Sequence, residues 1–202
     1  MSDTSEPTPS AARRDDTPAQ DLGATNLLMA LLIAALSMAL GSIVVAYFVM
    51  LARAKVWPPA GTPPLPGWLW LSTGLLVGSS GALHVALWSV RRRRQAGLRA
   101  GLILAGVFAV GFLMSQVVNW MLAYAAQMPP DLNMFAVLFY LFTGLHGLHV
   151  VGGLVPLGIV TVKALRGRYG ATDHDGVRHC ALYWHFVDVV WLVMFGVLLL
   201  TT

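Results

Sequence analysis

The sequence contains few charged residues and a single cysteine, and both shortages narrow the class of protein. Asp, Glu, Lys and Arg make up 11% of the 202 residues, whereas soluble domains average about 25%. Hydrophobic residues make up 57% of the chain, which excludes a soluble enzyme. The lone Cys180 excludes a disulfide framework and any Cys-rich metal or iron–sulfur site. The basic residues fall in short loops, so we expect no nucleic-acid partner.

Long segments without charge indicate membrane-spanning helices. Runs of 31, 35, 31 and 31 residues contain no acid or base, and the last 24 residues contain only Asp188. Crossing the hydrocarbon core requires about 20 apolar residues, whereas barrel strands are alternating segments of about 10. The sequence therefore predicts an all-α fold, a five-helix transmembrane bundle. The predicted spans are 25–51, 68–90, 100–126, 133–162 and 181–201, with ends uncertain by about 2–4 residues.

The distribution of Lys and Arg predicts the orientation of the bundle. Residues 1–24 are rich in Ser, Thr, Pro and Asp, and we expect them to form a disordered tail before the membrane domain 25–202. Eleven basic residues fall in this tail and in the second and fourth connections, against Arg53 and Lys55 in the first. Basic loops stay in the cytoplasm. We therefore expect a multi-pass protein of a bacterial inner membrane, with a cytoplasmic N-terminus and a periplasmic C-terminus.

Small residues recur every four positions in two of the predicted spans. Gly74, Gly78 and Ala82 do so in the second span, and the same spacing begins at Gly101 in the third. Membrane helices associate by close van der Waals packing, which small side chains allow. These two faces are expected to pack either against each other or against a partner chain.

Polar residues inside the spans are few, and Asp188 is the only acid among them. The predicted span places it about two turns from the cytoplasmic end, where a lone carboxylate costs a few kcal/mol or more. His185 precedes it by three residues, and His146 and His149 share that spacing in the fourth span. Since an orphaned polar group is costly, we predict a structural tie between the fourth and fifth helices formed by these four residues. A proton-handling role, or contact with water or lipid, stays open.

Four intramembrane histidines also suggest a haem site. A bis-His haem needs one imidazole from each of two facing helices at matching depth, and His84 or His185 could face His146 or His149. The same spacing is typical of a hydrogen-bonded helix interface. No cluster of three or four metal ligands follows from the spacing, so we assign this chain no catalytic, cofactor-binding or metal-binding residue. Gln116 and Asn119 are interpreted as interhelical hydrogen-bonding groups.

Two segments resemble the signature segments of subunit III of haem–copper cytochrome c oxidases. These are residues 143–150, TGLHGLHV, and residues 183–191, YWHFVDVVW. The loop 57–65, WPPAGTPPL, resembles the family's proline-rich loop, and Gln116 matches a glutamine that is usual in the family. The signature and interface residues assigned by this resemblance are Trp57, Pro58, Pro59, Gln116, Thr143, Gly144, Trp184 and Trp191.

The resemblance implies a non-catalytic subunit that carries neither haem nor copper. Such a subunit packs beside oxidase subunits I and II, in which haem and copper are expected, stabilises this proton-pumping terminal oxidase of aerobic respiration, and binds phospholipid. It also implies that His149 and Asp188 are structural. Longer family members have two further N-terminal helices. Two alternatives stay open: a related accessory subunit of nitric oxide reductase and, in a different class, an independent di-haem membrane cytochrome.

Overall fold

The computed structural model describes residues 18–170 and 174–201, with side chains from Asn26 onward. Every regular element in these ranges is a helix, and all five helices are long and apolar enough to cross a membrane. The predicted all-α, five-span fold is confirmed. Most of the predicted tail, residues 1–17, lies outside the described ranges. The helices are α1 (Pro18–Arg53), α2 (Leu69–Arg91), α3 (Gln95–Ala125), α4 (Met134–Leu165) and α5 (Asp175–Leu200).

Three helices begin earlier than the charge-free runs predicted, and the first of them, α1, begins at Pro18. α3 starts at Gln95 and α5 at Asp175, so both helices include charged residues such as Arg99 and Arg178. A helix can extend beyond the hydrocarbon, because water and headgroups then solvate its side chains. Asp188 follows the start of α5 by thirteen residues, which is about 20 Å along the axis. It therefore lies at the middle of α5, while its depth in the membrane, two turns from the cytoplasmic end of the span, stays a prediction.

α2 and α3 form an antiparallel pair that packs through small residues. A Cβ added to Gly101 would lie 2.8 Å from the carbonyl oxygen of Ala82, so only glycine permits this approach. The Ser79 hydroxyl donates a hydrogen bond of 2.9 Å to the Ala105 carbonyl. The two predicted small-residue faces thus pack mainly against each other. Gly74 is different, since a Cβ added there would meet no atom within 4 Å.

α5 is the central helix of the bundle, in contact with α1, α2 and α4. It approaches α4 closely at Gly153, where an added Cβ would lie 2.7 Å from the Tyr183 ring and 2.8 Å from the Trp184 ring. α1 packs chiefly on α5, and most of its surface is exposed.

The first connection and the C-terminus of α5 meet at one end of the bundle. Tyr47, near the end of α1, is fully buried there. Its hydroxyl accepts a hydrogen bond of 3.2 Å from Trp57 Nε1 and is hydrogen-bonded to the Thr201 hydroxyl. Asn133, which caps α4, donates a hydrogen bond of 2.9 Å to Thr62 in the same connection. These bonds hold the proline-rich loop against three helix ends.

Candidate functional site

Four polar side chains meet between α2 and α5, and we call them the α2–α5 polar cluster: Ser80, His84, His185 and Asp188. The Ser80 hydroxyl is hydrogen-bonded to His185 Nδ1. The rings of His84 and His185 lie with centroids 6.4 Å apart. Asp188 interacts with both Ser80 and His185. Ser80 and Asp188 are buried, whereas His84 is exposed, so the cluster extends from the middle of the bundle to its surface.

The surroundings of Asp188 explain how the bundle accommodates a carboxyl group at mid-helix. A carboxylate without a partner is expensive at that depth, and here a hydroxyl and an imidazole lie beside it. Its Oδ1 atom forms no hydrogen bond with any residue that the structure describes. The cluster therefore offsets part of the cost of burying the Asp188 carboxylate and leaves its Oδ1 atom without a hydrogen-bond donor.

The cluster contains two of the four residues predicted to tie α4 to α5, but their partners lie on α2. His149 bonds within its own helix instead, where its Nδ1–H donates a hydrogen bond of 2.7 Å to the Leu145 carbonyl. Successive helical residues point about 100° apart. Trp184 faces α4, so His185 is turned toward α2.

His146 lies among aromatic rings in the core. It is 1% exposed, and its ring centroid lies 5.5 Å from that of Phe112 and 4.9 Å from that of Trp191. Its Nε2 forms no hydrogen bond within the described part of the chain. Trp191 in turn donates a hydrogen bond of 3.0 Å to Thr73. His146 thus joins α4 to α3 and α5 by packing.

The polar contact between α4 and α5 uses the backbone of His149. The Tyr183 hydroxyl donates a hydrogen bond of 3.0 Å to the His149 carbonyl. In the same motif, the Thr143 hydroxyl accepts a hydrogen bond of 2.9 Å from Trp120 Nε1 on α3, and Gly144 lies against that indole. Both ends of the 143–150 segment therefore contact neighbouring helices.

A second polar cluster between α2 and α3 was not predicted in full. The hydroxyl oxygens of Ser72 and Ser115 lie 2.8 Å apart, and Asn119 Nδ2 donates a hydrogen bond of 2.9 Å to Ser72. Asn119 thus forms the expected interhelical bond, while the buried Gln116 amide pairs with no described residue. The only sequence signal for the cluster is the i, i+4 spacing of Ser115 and Asn119, because nothing in the sequence relates Ser72 to them.

Within 18–170 and 174–201, no three His, Cys, Asp or Glu side chains come close enough together to hold a metal ion. Cys180 is buried in α5. The geometry therefore defines a class: a five-helix, multi-pass membrane protein whose embedded polar groups chiefly join its own helices.

Comparison with known proteins gives the family within that class. The profile described as "Cytochrome c oxidase subunit III" matches residues 16–200, which includes all five helices. The chain belongs to this family, whose members are non-redox subunits. The match supports the interpretation of the sequence as an oxidase subunit III. It gives no support to a nitric oxide reductase subunit or a di-haem cytochrome.

Three relatives show how much of the family's length is shared, and each is described as cytochrome c oxidase subunit 3. The Synechocystis sp. protein is 36% identical over 155 residues, covering 74% of this chain and 64% of the relative. The Thermostichus vulcanus protein is 33% identical, covering 82% of both chains. The Arabidopsis thaliana protein is 35% identical, covering 69% of this chain and 52% of the relative. The chain thus spans between half and four fifths of these relatives.

Proposed function

We propose that this chain is the non-catalytic subunit III of a bacterial haem–copper oxidase, in which it stabilises the catalytic subunits I and II. Those subunits hold the haem and copper, pass electrons from cytochrome c to oxygen and pump protons. The observation that carries the proposal is the family match over residues 16–200. Within that range, both motif segments make interhelical contacts in the structure.

The embedded polar residues have a structural role in this proposal. His185 and Asp188 hold α5 against α2 through Ser80, while His146 fills the core between α3, α4 and α5. The His149 ring bonds to the Leu145 carbonyl of its own helix, and the His149 carbonyl accepts a hydrogen bond from Tyr183 on α5. Each contact joins elements of this chain and requires no redox centre.

We place the N-terminus in the cytoplasm and the C-terminus in the periplasm of a bacterial inner membrane. The Tyr47–Thr201 contact puts the C-terminus of α5 at the same end as the first connection. That connection carries two basic residues, whereas Arg91 and its neighbours lie at the other end. Alkaline phosphatase fused after Thr202 is therefore expected to be active, and a fusion in 92–94 inactive. The reverse pattern would refute the orientation.

An apolar cavity supports the proposed binding of phospholipid. It lies between α1, α4 and α5, has a volume of about 410 Å³, and is lined by residues such as Met29, Leu36 and Tyr183. His179 lies at its polar end, where its Nε2 is 2.7 Å from Asn26 Oδ1. An acyl chain fits the lining, and a headgroup fits the polar end.

Purification of the native complex tests the proposed function. A tag after Thr202 is expected to recover a haem-bearing subunit and a copper-bearing subunit in equal amounts with this chain, identified by mass spectrometry. This chain purified alone is expected to show no α-band in a reduced-minus-oxidised spectrum. Stoichiometric haem in the isolated chain, or recovery of nitric oxide reductase subunits instead, would refute the proposal.

A further inference from the structure

One face of α2 is exposed along the helix with a period of seven residues, and it touches the rest of the bundle at its edge, where Trp70 meets Phe195 and His84 meets His185. Its members are all exposed and alternate at spacings of four and three. We call it the α2 outer face. It consists of Trp70, Gly74, Val77, Gly81, His84 and Trp88.

Two glycines make this face a shallow groove. A Cβ added to Gly74 or Gly81 would meet no atom of this chain within 4 Å, whereas at Gly78, on the inner side, it would meet Phe108 at 3.3 Å. The packing against α3 therefore requires neither outer glycine. Small residues seven apart let a second helix approach closely and cross at the shallow angle of left-handed pairs.

The tryptophans at the two ends indicate that this groove lies within the hydrocarbon. Trp70 and Trp88 are 64% and 43% exposed, and their eighteen-residue separation corresponds to about 27 Å along the helix, close to the ~30 Å core. Exposed tryptophans favour the membrane interface. His84 then lies about 6 Å inside the belt at Trp88.

The environment of His84 indicates a protein partner independently of the shape of the groove. Its imidazole is exposed at this depth and forms no hydrogen bond with the described residues. Behind it lie His185 and then Asp188, which is 8% exposed and has an unpaired Oδ1. Polar groups in transmembrane segments almost always face protein or a wet cavity, and acyl chains offer them no hydrogen bond.

We infer that the α2 outer face is covered by a transmembrane helix of another subunit, which presents a side-chain oxygen to His84. A second copy of this chain fits poorly. A parallel pair of α2 outer faces would oppose two His84 rings without an oxygen and bring together two sets of Arg91 to Arg94, with Arg92 already over Trp88. Like charges in contact disfavour that pairing. The inference rests on the proposed function and names the surface that binds the partner.

Gly81→Leu tests the groove in the intact complex. Because the space around Gly81 is open, the variant chain is expected to insert and fold normally, while the partner helix is excluded. Because one well-packed interface position is lost, we expect more than tenfold less haem-bearing subunit to co-purify. Gly158→Leu is the matched control, since Gly158 is also exposed and open but lies on α4. Equal recovery for both variants would overturn the inference.

Cross-linking identifies the occupant independently. With Cys180 replaced by Ser, a cysteine at Val77 is labelled with benzophenone maleimide in native membranes and photolysed. We expect one adduct with a different oxidase polypeptide. A cysteine at Val107, which is exposed on α3, is the comparison. Adducts at Val77 with lipid only, or with a second copy, would overturn the inference. If the wild-type chain co-purifies with no haem-bearing subunit, the proposed function itself fails.

Discussion

A close contact between α4 and α5 gives a sharp test of the packing. Gly153→Ala adds one methyl group where the nearest ring carbons of Tyr183 and Trp184 would lie 2.7 and 2.8 Å away. Ordinary contacts of this kind begin at 3.4 Å. Both rings would have to retreat by several tenths of an ångström. Trp184 is fully buried, so α5 as a whole must shift.

The expected change in the free energy of unfolding for Gly153→Ala follows from two opposed effects. Alanine is favoured over glycine in a helix by about 1 kcal/mol, and overpacking of a buried contact costs about 1–3 kcal/mol. Gly152 provides the matched control, because its added Cβ would lie 4.0 Å from the nearest atom, the Tyr183 hydroxyl. We therefore expect Gly152→Ala to raise stability by up to about 1 kcal/mol, and Gly153→Ala to lie about 1–3 kcal/mol below that variant.

Denaturation of the purified chain in detergent measures this difference. Both variants are unfolded by SDS in mixed micelles, with loss of helicity and tryptophan fluorescence as the signals. The comparison of two neighbouring glycines removes helix propensity and detergent effects. Equal midpoints for the two alanine variants would refute the close approach of α4 and α5, and with it the assigned rotation of α5.

Three further substitutions test the polar contacts by the same assay. Asp188→Ala is expected to cost about 1–3 kcal/mol, because it opens a cavity and removes a partner of a buried network; an unchanged midpoint and full assembly of the complex would contradict the structural role. Tyr183→Phe removes only the hydroxyl bonded to His149 and should cost about 1 kcal/mol, and a neutral result would show that this bond is not formed. Asn119→Leu removes the donor to Ser72 and should cost about 1–3 kcal/mol; a gain in stability would contradict the α2–α3 cluster.

The number and type of elements could be predicted because the bilayer imposes them. A segment that crosses hydrocarbon must be long and free of charge, and the runs that end at Arg53, Arg91 and Lys163 satisfied this condition. The helix ends could not be predicted from charge, because α5 continues beyond the hydrocarbon to Asp175. The position of Asp188 at the middle of the helix could not be predicted for that reason.

The rotation of each helix could not be predicted, because these helices are apolar on nearly every side. In a soluble protein the polar face would point to water, whereas here lipid and core are both apolar. The sequence showed that Asp188 and His185 share one side of α5, but it did not show whether α2 or α4 lies opposite. Ser80 is the partner that decides the question, and a serine that follows Ser79 between two glycines carries no signal of that role.

The 183–191 segment contains many large and polar side chains because it belongs to the central helix. Its successive positions point to different neighbours. Tyr183 reaches the backbone of α4, and His185 reaches Ser80 on α2. Trp191 reaches Thr73, which lies about two turns nearer the N-terminus of α2. A helix with a single neighbour needs one specific face, whereas a helix surrounded on three sides needs a specific residue at almost every position. The density of the motif therefore follows from the position of α5 in the bundle and does not require a chemical reaction at the site.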